Sequence, residues 1–129
     1  MPPNVWLGTS VEHQAAADER IPHLLECPAA VRFLSCEPLI GPLDNLPLDG
    51  IDWTIVGGET GPGARLCKVG WVGGIVAQCR VAGVSVFVKQ LGALSDGPDT
   101  CGGCKNDLMS SWPEGLRVRE YPTAVRDGA

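Results

Sequence analysis

Four short apolar segments constrain the fold of this chain more than any other feature of its sequence. They cover residues 5–8, 31–36, 51–58 and 84–89, and the last three are rich in β-branched or aromatic residues. None of the four alternates cleanly between polar and apolar positions. Continuous apolar strands of this kind are typical of a parallel sheet that is buried on both faces. The sequence therefore predicts four parallel strands.

Two segments between these strands have helical features. Thr9 and Glu12 have the spacing of a capping box, which would start a first helix, and Pro22 is expected to break that helix or to start a second short turn. A second helix is predicted over residues 69–82, where apolar residues recur on one helical face and Gly83 supplies the stop. The resulting order of strand, helix, strand, loop, strand, helix, strand predicts an α/β fold with right-handed connections.

The chain divides by composition into a regular part and a tail. We expect an α/β domain over residues 1–92, with an irregular proline-rich connection at 37–50, and a loop-rich tail over residues 93–129. The stretch LRVREY, residues 116–121, is a possible edge strand within that tail.

Charge and hydropathy exclude several functional classes. The net charge is −5, and a protein that coats nucleic acid needs clustered Lys and Arg, so no broad nucleic-acid surface is expected. The apolar runs are far shorter than the roughly 20 residues that span a bilayer, so no membrane segment is expected either. The first ten residues lack a basic region followed by an apolar run, which predicts a cytoplasmic protein.

Cysteine is unusually frequent for a chain without an export signal, with six residues in 129. Disulfides are typical of secreted proteins, so we interpret four of the six as buried, reduced thiols that behave as small hydrophobes. These four are Cys27, Cys36, Cys67 and Cys79.

The remaining two cysteines, Cys101 and Cys104, form a CGGC motif in the tail. Their spacing is that of half a zinc site or of a redox pair, but a zinc site needs a second pair of ligands and the sequence offers none at matching spacing. Three interpretations stay open: a local disulfide, a labile metal half-site and two free thiols.

Polar residues follow the predicted strands and would meet at one rim, because the carboxyl ends of parallel strands lie at the same edge of a sheet. Glu37 and Glu59 are candidates for a carboxylate pair in acid–base catalysis, with Lys89 as their counter-charge and Gln90 beside it. The alternative is a structural ion pair at the rim.

A glycine-rich segment, GGETGPGAR, is the sharpest local motif. Its glycines Gly57, Gly58, Gly61 and Gly63 permit backbone conformations that form an anion-binding nest, and Arg65 could add a guanidinium fork. The segment lacks the lysine and spacing of a P-loop and the pattern of a dinucleotide fingerprint. The alternative is a tight strand-to-helix turn in which Arg65 is solvated or paired with an acid.

Several segments together resemble a known family: NVWLGTSVE, the block from IPHLLECPAAV to LIGPLD, IDWTIVGGETGPGARL, FVKQLG and WPEGLRVREYP. They are similar to the C-terminal half of an uncharacterised phage-encoded family that resembles radical-SAM-type β/α-barrel proteins. The resemblance implies a partial, half β/α barrel. In such proteins an N-terminal cysteine-rich segment holds the iron–sulfur cluster, so the resemblance implies no cluster on this chain alone.

Half a barrel would leave unpaired strand edges and an exposed inner face, which are aggregation hazards. A second copy of the chain, a different chain or the LRVREY tail could close it, and a homodimer is our first expectation. We therefore expect a module that is non-catalytic on its own and that oligomerises or binds a protein partner. The alternative is the complementary half of a radical-SAM-like enzyme acting on a nucleotide or nucleic acid, with a phosphate-bearing ligand at the glycine-rich turn.

Overall fold

Four parallel strands form the centre of the computed structural model, which describes residues 4–97 and 106–122. The strands are β1 (Trp6–Ser10), β2 (Val31–Cys36), β3 (Trp53–Gly57) and β4 (Ser85–Gln90). They pair in sequential order, and every pair is parallel. The predicted α/β fold is confirmed, as an open sheet that has the layout of a partial β/α barrel.

The first helix, α1 (Gln14–Leu25), begins later than the sequence predicts. Thr9 lies in β1 opposite Leu34 and does not cap the helix, because the backbone remains extended through Ser10 to pair with β2. His13 is the N-cap instead, and its Nδ1 accepts a hydrogen bond of 3.2 Å from the backbone nitrogen of Ala16. The capping-box prediction is therefore wrong.

Pro22 lies inside α1 and does not break it. A proline removes one backbone hydrogen bond from a helix interior. Ile21 and Leu24 on either side of it are buried, and their packing under the sheet holds this turn in place. The second helix, α2 (Val69–Ala82), has the predicted bounds, and Gly83 ends it in the left-handed conformation with φ +71°.

The two faces of the sheet differ in what covers them. Paired residues of parallel strands point to the same face, so the register assigns alternate positions to each side. The helix face is fully buried at its centre, where it carries Leu34, Cys36, Thr54, Val56, Val86 and Val88, and it is half-buried toward β1. The opposite face, which we call the inner face, carries Trp6, Phe33, Trp53, Ile55 and Phe87, all exposed or half-buried, together with the buried Val31 at the start of β2.

The connections and the tail pack into the same hydrophobic core as the helices. Leu39 and Leu43 of the irregular connection are buried, and so are Trp112 and Leu116 of the tail. In the tail, the carbonyl of Val118 accepts a 2.9 Å hydrogen bond from the nitrogen of Val88. An isolated antiparallel bridge joins Arg119 to Phe87, so residues 118–120 cover the outer edge of β4, although the predicted LRVREY segment forms no full strand there.

The outer edge of β1 is open in the described part of the chain, where β2 is the strand that pairs with it. Trp6 on this strand is 43% exposed, which is unusual for so large an apolar side chain. The sheet therefore has one covered edge and one free edge, and the cylinder of a complete barrel is not closed.

Four cysteines in the described residues are free thiols. Three are buried, and burial raises the pKa of the Cys67 thiol to about 12 and that of Cys36 still further. Cys27 is half-buried, contrary to prediction, because it follows the end of α1 at the margin of the core. Across residues 4–97 and 106–122, no helix has both the length and the apolar character needed to cross a bilayer.

Candidate functional site

The carboxyl ends of β2 and β4 bring two of the predicted site residues together. Lys89 Nζ lies 3.5 Å from Glu37 Oε2. The other carboxylate oxygen of Glu37 accepts a 3.3 Å hydrogen bond from the Ser35 hydroxyl. Both side chains remain partly open to solvent, so the pair is a charged group at the rim of the sheet.

Gln90 has a structural position under this rim. Its side chain is buried, and its amide makes two hydrogen bonds to the backbone of Gly58, accepting at 3.1 Å and donating at 2.7 Å. A Cβ added at Gly57 would lie 2.7 Å from Gln90 Nε2 and 3.2 Å from Glu37 Oε2. Gln90 therefore fixes the end of β3, and a glycine at position 57 makes room for it.

Within the glycine-rich loop, the carboxylate of Glu59 binds Arg65. Glu59 Oε1 accepts 2.9 Å hydrogen bonds from the backbone nitrogen and from Nε of Arg65, and Glu59 Oε2 accepts one of 2.7 Å from Nη2. These bonds lower the pKa of Glu59 to about 2 and raise that of Arg65. The anion held in this loop is thus the Glu59 carboxylate, and the guanidinium of Arg65 is already neutralised.

The glycines of this loop have separate geometric roles. Gly61 and Gly63 have φ values of +88° and +76°, which side-chain-bearing residues rarely adopt. A Cβ at Gly58 would lie 2.6 Å from the carbonyl oxygen of Leu91, so that glycine allows two chain segments to pack closely. Turn geometry and close packing account for these glycines, and their role in binding an external anion stays a prediction.

Glu37 and Glu59 line one cavity of about 390 Å³ with Lys89 and Gln90 between them. Each carboxylate has its own cation, since Glu37 pairs with Lys89 and Glu59 pairs with Arg65. The rim therefore carries two ion pairs side by side, which is the structural alternative considered from sequence. An acid–base role for these residues stays a prediction.

A second cavity of about 400 Å³ adjoins the first and opens on the inner face. It shares Glu37, Lys89 and Gln90 with the first, and it adds residues that sequence reasoning missed: Trp53, Ile55, Phe87, Asp107, Arg119 and Tyr121. Alternation along β3 and β4 could have identified Trp53 and Phe87, because they share a face with the rim lysine. The three tail residues had no comparable signal in the sequence.

Arg119 is held rigidly at the edge of this second cavity. Its Nε donates to the carbonyl of Val88 at 3.0 Å and its Nη2 donates to the carbonyl of Lys89 at 2.7 Å. The guanidinium carbon lies 5.2 Å from the ring centroid of Phe87 and 5.7 Å from that of Trp112, within the range of cation–π contacts. Backbone carbonyls and aromatic rings thus orient a full positive charge.

Aromatic rings form the floor of this cavity. Trp53 lies 5.4 Å from Tyr121 and 6.3 Å from Phe87 between ring centroids, and Trp53 Nε1 donates a 2.8 Å hydrogen bond to the carbonyl of Glu120. Tyr121 also contacts Phe87 edge-on at 5.5 Å. The tail therefore contributes a wall to a site whose floor comes from the sheet.

Metal and cluster binding find no support among the residues that the structure describes. Within those residues, no group of three or more His, Cys, Asp or Glu side chains converges as metal ligands would. Cys101 and Cys104 of the CGGC motif lie outside the described residues.

Comparison with known proteins identifies a family without a known activity. No curated protein and no solved structure matches the chain. A family model does match, over residues 1–117, which is most of the chain. The protein therefore belongs to the family described as "Protein of unknown function (DUF5131)".

Proposed function

We propose that this chain is a β/α half-barrel module that binds a protein partner through the open edge of β1 and the adjoining inner face, and that it is not a catalyst on its own. The observation that carries the proposal is the exposure of Trp6 beside an unpaired strand edge. Exposed edges and large apolar surfaces of this kind mark sites of association between proteins.

The backbone of β1 offers hydrogen bonds to an incoming strand. The Val5 carbonyl points toward β2, where it accepts from the residue before that strand. Backbone groups alternate in direction along a strand, so those of Trp6 and Gly8 point to the free edge. The carbonyl of Ser10, which also points outward, accepts a 2.9 Å hydrogen bond from Arg20 Nη1. Arg20 thus limits the available edge to the first part of β1.

A partner that supplies further parallel strands suits this edge best. In an eight-stranded ring of two identical chains, each β1 would pair with the β4 of the other copy. The outer edge of β4 is occupied by residues 118–120, since Val88 donates its backbone hydrogen bond to Val118. A partner that adds strands to the β1 edge alone, without also pairing with β4, therefore suits the geometry better than the closed homodimeric ring expected from sequence.

The resemblance to radical-SAM-type barrels supports the same proposal. A phage-encoded half-barrel of that type would take its missing strands from a polypeptide that carries the cysteine-rich half. The assembly of the two polypeptides, rather than this chain, would then be the enzyme.

Replacement of Trp6 by lysine tests the proposal, because a charge on an edge strand opposes strand addition. The matched control is Val81→Lys, which introduces the same charge at a 91% exposed apolar position on α2. A photo-crosslinking amino acid at position 6 would capture the partner in cells, and the purified partner would then be titrated against the wild type and both variants.

We expect the crosslinked partner to contain β/α strands, and we expect Trp6→Lys to weaken its binding while Val81→Lys does not. Sedimentation of the purified chain tests whether a second copy of the chain binds the β1 edge instead. If the chain is a stable dimer that Trp6→Lys dissociates, the partner at the β1 edge is a second copy of this chain and not a different protein. A monomer that gives no crosslink from position 6 would refute the proposal.

A further inference from the structure

We infer that the 400 Å³ cavity in front of β3 and β4 binds a nucleotide, that is, a phosphate monoester carrying a planar, amino-bearing ring. Its volume lies within the range of small-molecule sites, about 300–1,000 Å³. Its charged end, formed by Glu37, Lys89 and Gln90, lies at the carboxyl ends of parallel strands, where α/β proteins place ligands. None of its lining residues lies on β1, and this inference does not rest on the proposed partner.

The phosphate end of the ligand is assigned to Arg119 and Lys89. Within the described residues, no carboxylate lies within 4.0 Å of the Arg119 guanidinium, so its charge is uncompensated there. Arg119 Nη2 donates to the carbonyl of Lys89, which places the two residues side by side. The Lys89 ammonium lies 3.5 Å from Glu37 and its side chain is 57% exposed, so it is free to turn toward a phosphate.

The ring end of the ligand is assigned to the apolar wall of the cavity. Trp53, Ile55, Phe87 and Tyr121 form this wall, and ring surfaces are favourable contacts for a planar base. Two carboxylates, Glu37 and Asp107, line the same cavity and are acceptors for amino groups on the ring. The cavity thus has two cations, two carboxylates and an apolar wall. This combination suits a ligand with an anionic group, hydrogen-bond donors and a planar ring.

The same geometry argues against the glycine-rich loop as the phosphate site. Arg65 donates both fork hydrogen bonds to Glu59, so an incoming phosphate would have to displace a carboxylate held at 2.7 Å. Arg119 donates to neutral carbonyls and keeps its charge for a ligand. The difference between these two arginines makes the inference testable.

Calorimetric titration of the full chain with adenosine monophosphate is the direct experiment. We expect saturable binding of the monophosphate. Adenosine and inorganic phosphate should each bind with an affinity at least about tenfold lower, since each lacks one of the recognised groups. A short 5′-phosphorylated oligonucleotide distinguishes a free nucleotide from the phosphorylated end of a nucleic acid, since both carry the same phosphate and base. Binding as tight as the monophosphate indicates a nucleic-acid end, and weaker binding indicates a free nucleotide.

Three variants locate the phosphate. Lys89→Met and Arg119→Met are each expected to weaken binding of the monophosphate by about tenfold, whereas Lys68→Met, at an exposed lysine outside the cavity, leaves it unchanged. If circular dichroism shows that Arg119→Met is unfolded, Lys89→Met decides the question.

Several results would overturn the inference. These are a monophosphate that does not saturate, equal binding of adenosine and the monophosphate, and unchanged binding in folded Lys89→Met. A loss in Arg65→Met as large as that in Lys89→Met would also overturn it, because the phosphate would then sit in the glycine-rich loop.

Discussion

The two faces of the sheet are built from the same four strands and from similarly apolar residues, yet the centre of one is fully buried and the centre of the other is not. Leu34 on the helix face is fully buried, whereas Phe33, its neighbour in the chain, is only half-buried on the inner face. The strand pattern does not distinguish them, because both faces are apolar in sequence. The connections between the strands decide which face is buried, since two helices and a leucine-rich connection cover the helix face.

The inner face is itself divided by the tail. Over β3 and β4, Arg119 and Tyr121 contact Phe87, and Tyr121 also contacts Trp53. Over β1, Trp6 touches Trp53 edge-on and is otherwise open to solvent. The part over β3 and β4 is a cavity suited to a small ligand, and the part over β1 is an exposed apolar surface suited to a protein partner. One short antiparallel segment creates this distinction.

The largest effect that tests the comparison comes from truncating adjacent residues on opposite faces. Leu34→Ala removes a fully buried side chain and is expected to cost about 2–5 kcal/mol of unfolding free energy. Phe33→Ala removes more atoms but is expected to cost less, about 1–2 kcal/mol, because part of the ring is already in water. Chemical denaturation of both variants measures this order, and a reversed order would show that the inner face is sealed.

A smaller loss is expected from adding a side chain at Gly8, over which the ring of Phe33 packs on the inner face. A Cβ at Gly8 would lie 2.3 Å from the ring of Phe33, so Gly8→Ala forces that ring away. We expect a loss of about 1–3 kcal/mol, as for other overpacked sites. Thermal unfolding, with tryptophan fluorescence as the signal, reports both stability and the contact of Phe33 with Trp53. Unchanged stability would mean that Phe33 is loosely held.

A gain is expected outside both faces, on α2. Gly74 is exposed in the middle of this helix, and a Cβ added there meets no atom within 4 Å in the described structure. Gly74→Ala should therefore raise the unfolding free energy by about 0.5–1 kcal/mol through helix propensity and reduced freedom of the unfolded chain. A loss of stability on denaturation would reveal that this helix surface is covered.

The smallest effect is expected at the rim, where both faces end. The pKa of Glu59 is lowered from 4.5 to about 2 by Arg65, so its contribution to stability is complete above pH 4.5 and disappears as the pH falls toward 2. The pair is exposed, so this contribution is small and screened by salt. Melting temperatures of the wild type and Glu59→Gln should converge over this pH range. A difference that does not depend on pH would show that Arg65 is not the partner in solution.

The strand and second-helix patterns are sufficient to predict most of the architecture. The β2 strand and α2 have the predicted bounds, since their apolar spacing and the stop at Gly83 are local signals that packing did not override. The predicted start of α1 is wrong, because pairing of Thr9 with Leu34 in the sheet outweighs its local capping preference. Tertiary contacts of this kind leave no trace in a local motif.

The candidate site is only partly accessible to sequence reasoning. The meeting of Glu37 and Lys89 is predictable, because parallel strands end at one edge of the sheet. The pairing of Glu59 with Arg65 is one of two alternatives that the local sequence leaves open. Arg119 and Tyr121 reach the site through the return of the tail, a long-range event that no periodicity encodes.

The antiparallel segment on β4 also bears on what this molecule does at high concentration. A sheet with two free edges can add copies head to tail without limit, and growth of that type leads to fibres. Here residues 118–120 cover the outer edge of β4, so a second copy cannot add there, and pairing of two copies through their β1 edges would use up both free edges. Assemblies built on this chain should accordingly be finite and of defined stoichiometry, with the tail acting as the terminator of polymer growth.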